Sequence, residues 1–179
     1  ATFSSSYVEY LNLEWKDVYV QVLDDLGVQH LRLPVRWSAV EPSRGEYYFD
    51  DIDYMMDAAA KRGAKVTLAI GMKVPRWPEC YIPDWASKNT RTEYRRDVYA
   101  LIQEIVIRYR DHEALDRWQV ENEPFFNFGI CPKADAERIF AEFDLVRELD
   151  PDHMIQRTTR GEQSIWLFNT MSADVLGAS

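Results

Sequence analysis

The sequence predicts an α/β fold built from parallel βα units. Short apolar segments alternate along the chain with stretches whose apolar residues recur at helical spacing, as in strands connected by helices. The chain has 179 residues, of which 46% are hydrophobic and 28% charged, which is typical of one globular domain. We therefore treat residues 1–179 as a single domain, because no linker or low-complexity segment divides them.

Six segments predict the strands of this sheet. Residues 65–71 are apolar enough to be covered on both faces, which is typical of a strand inside a parallel sheet. The fifth segment is unusual because Arg157 and Arg160 lie in it or just after it, and a cation in a buried strand is costly unless it is paired. In chain order, the predicted strands are residues 2–4, 30–37, 65–71, 117–123, 153–158 and 174–177.

Helical patterns lie between the predicted strands. In the clearest pattern, which starts at Val98, apolar residues recur at offsets of three, four, seven, eight and eleven, on one face of a helix. Gly27 is predicted to end an earlier helix, and another is predicted to begin at an Asp50 N-cap and to end at Gly63. The other apolar stripes are Trp15, Val18, Val22 and Leu26; Ile52, Met55, Met56, Ala59 and Ala60; and Ile139, Phe140, Phe143, Val146 and Leu149.

Composition and charge argue against several classes of function. Lys and Arg number 21 against 30 Asp and Glu, a formal net charge of −9, so we expect no nucleic-acid and no membrane partner. Three scattered histidines and two cysteines predict no metal centre, and no glycine-rich loop follows the early strands, so we expect no cofactor. Residues 1–6 have neither the basic flank nor the apolar core of a signal peptide, which leaves secreted and cytoplasmic locations open.

Two glutamates and an asparagine form the strongest candidate site. Glu121, Asn122 and Glu123 end a predicted strand just before Pro124, which cannot continue a strand ladder. Ligands of parallel α/β folds bind at the carboxyl ends of the strands. Alternation along the strand predicts both carboxylates on one face, roughly 7 Å apart, and Asn122 on the other unless a bulge or twist re-aims it. A solvated, charged strand end is the alternative explanation.

Two motifs resemble those of the clan A glycoside hydrolases, the retaining (β/α)8-barrel glycosidases. Residues 118–124, Trp-Gln-Val-Glu-Asn-Glu-Pro, are similar to the family's motif at the fourth barrel strand. A second stretch is similar to the segment after the second strand in β-galactosidase-like members: Arg32-Leu33-Pro34, then Trp37, Glu41-Pro42, Gly45, Tyr47 or Tyr48, and Phe49. The resemblance spans essentially the whole chain and implies a fold of the (β/α)8 TIM-barrel type.

The resemblance also implies roles for the residues of these motifs. Glu123 is the predicted acid/base, which protonates the leaving oxygen in a retaining mechanism, and Asn122 is predicted to hold the sugar 2-hydroxyl. Arg32 is predicted to steady the nucleophile and keep it ionised, the alternative being an ion pair in the barrel lining. Glu121 is a candidate for tuning the pKa of Glu123, the alternative being a merely exposed carboxylate.

Further candidates come from the loops after two early strands. Trp37 and Trp77 are candidate platforms for a sugar ring, and packing within a loop explains each of them equally well. Arg76 is a candidate donor to a sugar hydroxyl. Cys80 and Cys131 fall in consecutive loops at the same face of the sheet, where they form either a disulfide or two separate thiols.

The chain length is short for a complete barrel. A (β/α)8 barrel takes about 250 residues, or roughly 31 per unit. The 179 residues therefore predict a barrel truncated to about five βα units plus the start of strand six. The resemblance implies that the nucleophile follows strand seven, which this chain does not include. Glu162 is a loop carboxylate in roughly the right region, and nothing in the sequence marks it as a nucleophile.

These observations predict a retaining O-glycosyl hydrolase of the β-glycosidase type that acts on a carbohydrate substrate, and they predict that this chain alone is inactive. An open barrel exposes unpaired strand edges and an apolar inner face, which predicts self-association or completion by a second chain. Two alternatives are a non-catalytic carbohydrate-binding module and a structural half-barrel fragment.

Overall fold

The computed structural model describes residues 1–159 and 173–178, in which five parallel strands form one sheet. Neighbouring strands follow one another in chain order, as in the wall of a βα barrel. The strands are β1 (His30–Pro34), β2 (Lys65–Ile70), β3 (Leu115–Val120), β4 (Met154–Thr159) and β5 (Val175–Ala178). The predicted α/β class is confirmed. The expected opening strand is reduced to one parallel bridge between Thr2 and Arg32.

Helices flank the sheet, and the apolar stripes predicted the second, fourth, fifth and sixth of them along the chain. They are α1 (Ser5–Tyr10), α2 (Trp15–Asp24), α3 (Trp37–Val40), α4 (Asp50–Ala60), α5 (Arg91–Tyr109) and α6 (Ala136–Leu149), with one 3-10 turn at Asp84–Ala86. The longest helix, α5, begins with a capping box in which Thr90 and Glu93 satisfy each other's backbone N–H groups. Its predicted stripe from Val98 to Tyr109 is buried throughout.

Two expectations about the helix ends and faces were wrong. Helix α2 ends at Asp24, so Leu26 lies beyond it and is exposed, and the buried stripe is Trp15, Tyr19 and Leu23. Tyr19 is suited to this place because its hydroxyl donates a hydrogen bond of 2.9 Å to the Met55 carbonyl. The N-cap of α4 is Phe49, and Asp50 is instead the first helical residue, where a negative charge favours the helix dipole.

The sheet has one apolar face and one polar face. A row of facing residues across four strands is fully buried beneath the helices: Leu33, Leu68, Trp118 and Ile155. Side chains alternate between faces along a strand, so Arg32 and Gln119 point to the other side. There the Arg32 Nη1 group donates a hydrogen bond of 3.2 Å to Gln119 Oε1. The polar face is therefore the inner wall that leads to the site.

Arg157, the unexpected cation of β4, lies on the helix side of the sheet. Its guanidinium is buried and lies over the rings of Phe125, Phe140 and Phe143, at 4.8, 5.8 and 5.8 Å from their centroids. Cation–π contacts with these three rings thus surround the buried charge. Burial lowers the pKa of Arg157.

Two residues singled out in the sequence, Arg160 and Glu162, lie outside the described residues. Within residues 1–159 and 173–178, no helix combines the length and the apolar character needed to cross a membrane. The same residues contain no group of three or more His, Cys, Asp or Glu side chains placed to hold a metal ion.

Candidate active site

A cleft of about 1020 Å³ opens at the carboxyl ends of the first strands. Among the residues that line it are five of the predicted site residues: Arg32, Arg76, Trp77, Asn122 and Glu123. Glu79, from the loop after β2, lines it as well. The cleft therefore joins loops after β2 and β3 with the inner face of β1, as expected for a ligand site in a parallel fold.

The backbone after β3 turns twice, and this re-aims the side chains of the motif. Strand β3 ends at Val120 rather than at the predicted Glu123, and Glu121 and Glu123 have φ angles of 58° and 44°. The Asn122 N–H donates to the Lys73 carbonyl at 2.6 Å, which ties the motif to the loop after β2. As a result Asn122 and Glu123 both face the cleft, and the strand alternation expected from the sequence does not hold.

Glu121 points away from the cleft, contrary to the expectation that it shares a face with Glu123. Its carboxylate accepts hydrogen bonds from the backbone N–H groups of Met72, at 2.9 Å, and Lys73, at 3.1 Å. It also accepts a hydrogen bond of 2.8 Å from Arg138 of α6 and is almost fully buried. Glu121 therefore joins the two loops from beneath the cleft.

The Asn122 side chain is held at both ends of its amide. Its Oδ1 atom lies 3.3 Å from Gln119 Nε2 and 3.4 Å from Thr158 Oγ1, both of which donate to it. Its Nδ2 group donates to Glu79 Oε1 at 3.1 Å. The Thr158 hydroxyl also accepts the backbone N–H of Glu123 at 3.0 Å. The two cleft-facing residues are thus fixed to the inner faces of β3 and β4.

Glu79 is a charged cleft residue that the sequence interpretation missed. It lies in the irregular segment after β2, is 5% exposed, and forms an ion pair of 3.2 Å with Lys73. Burial raises the pKa of Glu79 and the charge of Glu123 raises it further, whereas Lys73 and the hydrogen bond from Asn122 lower it. Glu79, 43 residues before Asn122 in the chain, is therefore a buried carboxylate on which the charge of Glu123 acts.

Arg32 occupies the predicted position on the inner wall. Its Nε group donates to Thr2 Oγ1 at 2.9 Å and its Nη1 group to Gln119. Burial and the charge of Arg76 lower the pKa of Arg32, and the charges of Glu123 and Glu79 raise it. Arg32 therefore shares the cleft with Glu79 and Glu123, and its role towards the nucleophile stays a prediction.

The two candidate sugar platforms differ in position. Trp37 is fully buried, donates from Nε1 to Glu41 Oε2 at 2.7 Å, and packs edge-on against Trp85. The platform prediction for Trp37 was wrong, because this ring belongs to the core beneath the loops. Trp77 is 63% exposed on the cleft wall and packs edge-on against Phe128 at 5.8 Å between centroids.

Of the two alternatives for the cysteines, the structure shows the disulfide. Cys80 and Cys131 are bonded across a sequence separation of 51 residues, with Cα atoms 5.2 Å apart. The bond joins the loop that carries Trp77 and Glu79 to the loop after β3 that carries Phe128. The wall of the cleft is therefore covalently cross-linked.

Comparison with known proteins defines the class to which this fold and cleft belong. The protein GH5_18 from Streptomyces cattleya, solved in complex with GlcNAc, superposes with a TM-score of 0.67 at 16% identity, covering 89% of this chain and 43% of that one. A β-galactosidase of Arthrobacter sp is 28% identical over 123 residues, and the match covers 58% of this chain and 18% of that protein. The class is that of the TIM-barrel glycoside hydrolases.

The family follows from a match that covers most of the sequence. Residues 11–158 match the model of glycoside hydrolase family 42, described as beta-galactosidase, and the chain belongs to this family. Mannan endo-1,4-beta-mannosidase F of Aspergillus clavatus is also similar, at 30% identity over 125 residues, and that match covers 65% of this chain and 27% of that protein. The chain thus spans roughly a fifth to a quarter of the length of these curated relatives.

Proposed function

We propose that this protein is a retaining O-glycosyl hydrolase in which Glu123 is the acid/base. The observation that carries the proposal is that Asn122 and Glu123 face one cleft together with Arg32, at the carboxyl ends of parallel strands. In a retaining reaction the acid protonates the leaving glycosidic oxygen while a second carboxylate attacks the anomeric carbon. The first residue then acts as a base towards the incoming water. Glu123 takes the first of these roles.

Each neighbour of Glu123 has a distinct task in this proposal. Asn122 donates to the sugar 2-hydroxyl, an interaction that strengthens as the transition state develops positive charge at the ring. Arg32 holds the nucleophilic carboxylate ionised, and that carboxylate is supplied from outside the described residues. Trp77 presents its exposed face to a sugar ring, and Arg76, on the same cleft wall, donates to a hydroxyl.

The names of the relatives suggest which sugars to assay first. The matching family is described as beta-galactosidase, and another similar protein is a mannan endo-1,4-beta-mannosidase. We therefore propose a β-galactoside as the substrate class, with β-mannosides as the second choice. Both are β-linked sugars, for which the same pair of carboxylates serves.

The test uses the dependence of the acid/base role on the leaving group. In an assay with the nucleophile supplied, we expect Glu123→Gln to slow hydrolysis of a phenyl β-galactoside, whose leaving oxygen needs a proton, by about 100-fold or more. Hydrolysis of the 2,4-dinitrophenyl galactoside should be slowed much less at the bond-cleavage step, because that leaving group departs without protonation. Glu148→Gln, an exposed glutamate on α6, is the matched control and should leave both rates unchanged.

The outcomes separate this proposal from its alternatives. Equal and measurable rates for wild type and Glu123→Gln on the phenyl substrate would exclude Glu123 as the acid, and an inverted first-formed sugar anomer would exclude retention. Binding of a β-galactoside without any hydrolysis, even with the nucleophile supplied, would indicate a carbohydrate-binding module, which the exposed ring of Trp77 would suit. If the protein neither binds nor hydrolyses the sugar even with the nucleophile supplied, a structural role is the remaining explanation.

Assembly is the last part of the proposal. In the described residues, the outer strand β5 pairs only with β4. At the opposite edge of the sheet, within the same residues, β1 pairs with β2 on one side and has only the single bridge to Thr2 on the other. Strand edges of this kind pair readily with another chain. We therefore propose that the 179-residue chain self-associates or binds a completing chain. Size-exclusion chromatography with light scattering tests this, and a compact monomer that binds no hydrophobic dye would contradict it.

A further inference from the structure

We propose that Glu79 is a positioning residue that orients the Asn122 side-chain amide, so that Asn122 presents an N–H group, and not its carbonyl oxygen, to the sugar 2-hydroxyl. This inference rests on the proposed function. Under this proposal, the preference of the site for sugars that carry a 2-hydroxyl depends on Glu79 in the loop after β2, although Glu79 does not have to touch that hydroxyl.

The argument starts from the two different ends of an amide. An ionised carboxylate only accepts hydrogen bonds, so the group of Asn122 that faces Glu79 at 3.1 Å is Nδ2. On the opposite side, Oδ1 accepts from Gln119 and Thr158. The amide is thereby fixed in one of its two orientations. Nδ2 carries two N–H groups and uses one of them on Glu79, which leaves the other for a ligand in the cleft.

A second set of contacts keeps the Glu79 carboxylate in place. Lys73 Nζ lies 3.2 Å from Glu79 Oε2 and donates to two backbone carbonyls, those of Glu123 at 3.1 Å and Phe126 at 2.7 Å. The buried ammonium therefore links Glu79 to the backbone of the proposed acid/base. Both Lys73 and Glu79 are almost fully buried, so water does not solvate their charges. The stability of this ion pair therefore depends on the contacts between the two side chains and with the two backbone carbonyls.

Close packing around the loop leaves Glu79 little room to move. A Cβ atom added to Gly129 would lie 3.0 Å from Glu79 Cβ and 2.6 Å from the Pro78 carbonyl oxygen, so the two loops are in direct contact. The next residue, Cys80, is bonded to Cys131 in the opposite loop. The carboxylate is thus held by its salt bridge, and the loop that carries it is held by packing and by a covalent cross-link.

The first experiment reads the amide directly and needs no enzymatic activity. In a ¹H–¹⁵N spectrum of wild type, one Nδ2 proton of Asn122 should resonate downfield, as should that of Asn89, whose Nδ2 donates to Asp97 Oδ2 at 2.8 Å. Glu79→Gln should shift the Asn122 resonance upfield and leave that of Asn89 unchanged. An Asn122 resonance that does not respond to loss of the carboxylate would overturn the proposal.

A second variant guards against misfolding. Glu79→Gln leaves the Lys73 ammonium buried without its carboxylate, which by itself can unfold the loop. The double variant Lys73→Met/Glu79→Gln removes both charges and should show the same upfield shift at Asn122. A double variant that keeps the wild-type resonance would contradict the proposal even if the single variant does not fold.

The second experiment tests the consequence for specificity. Wild type should hydrolyse a β-galactoside faster than its 2-deoxy analogue, and Glu79→Gln and Asn122→Ala should each reduce this discrimination by about tenfold. Combining the two changes should add little, because both act through one hydrogen bond. An equal loss on both substrates in Glu79→Gln would show a merely structural role. If Glu123→Gln retains full activity, the proposed function fails, and the amide spectrum still decides this inference.

Discussion

Arg138 of helix α6 donates a hydrogen bond of 2.8 Å to Glu121, the residue just before Asn122, from the helix side of the sheet. Glu121 in turn accepts the backbone N–H groups of Met72 and Lys73, which begin the loop after β2. A buried ion pair in the outer layer therefore holds together the two loops that form the cleft. The cleft geometry depends on residues that do not line it.

The first prediction concerns the charge balance of this buried group. Arg138 also donates to Glu142, one turn further along α6, so one cation serves two buried carboxylates. Arg138→Met should lower the free energy of unfolding by about 3–5 kcal/mol, because it leaves buried negative charge without a partner. Urea denaturation measures this loss.

The matched control is on the same helix. Arg147 pairs with Asp174 at 3.0 Å, and both side chains are substantially exposed. Arg147→Met should therefore cost less than about 1 kcal/mol, as is usual for a surface ion pair. If the two variants are equally stable, the buried group does not carry the stability that we assign to it.

The second prediction is a pH dependence that Glu142 imposes on stability. Burial raises the pKa of Glu142 well above its ordinary value of 4.5, and the charge of Glu121 raises it further, although Arg138 lowers it. A carboxyl group with a raised pKa in the folded state contributes stability below about pH 4.5. That stability is lost as the pH rises through the folded-state pKa. Glu142→Gln removes this titration.

The measurement is the free energy of unfolding as a function of pH. From about pH 4.5 upward, the stability of wild type should decline relative to that of Glu142→Gln, whatever the offset between the two proteins. Glu148→Gln changes an exposed carboxylate of the same helix and should run parallel to wild type. A Glu142→Gln curve that is also parallel to wild type would show that Glu142 does not titrate abnormally.

The third prediction concerns the cross-link between the loops. The Cys80–Cys131 disulfide spans 51 residues, for which chain entropy gives a stabilisation of about 4 kcal/mol. The double variant Cys80→Ser/Cys131→Ser should unfold in urea with a free energy lower by about 2–4 kcal/mol. Reducing agent should bring wild type to the same value and leave the variant unchanged. A reductant effect on the variant would point to a cause other than this bond.

Much of the framework could be predicted from the sequence, because strands and helices have local periodicity. The motif that ends in Glu123 and Pro124 was recognisable because residues 118–124 resemble a family motif at a strand end, and the structure places Glu123 in the cleft. The direction of Asn122 could not be derived from alternation. It depends on positive φ angles at Glu121 and Glu123, which are not glycines and give no local signal.

Other site features depend on contacts between distant parts of the chain. Glu79 contacts Asn122 only because the loops after β2 and β3 pack together and are cross-linked. Neither the sequence of these loops nor the spacing of their residues predicts that contact. Trp37 was wrongly predicted to be a platform because a sugar platform and a core aromatic use the same residue type. Its burial is decided by Glu41 and Trp85, whose positions come from the folded loop.

The last prediction separates the two tryptophans by experiment. Trp37→Ala should lower the free energy of unfolding by about 3–5 kcal/mol, because it removes a fully buried ring and leaves the Glu41 carboxylate without its indole donor. Trp77→Ala should change stability by no more than about 0.5 kcal/mol, because its ring is largely exposed. It should nevertheless weaken binding of a β-galactoside in a calorimetric titration. Unchanged binding in Trp77→Ala would remove this ring from the proposed site, and a stable Trp37→Ala that binds sugar more weakly would reverse the two assignments.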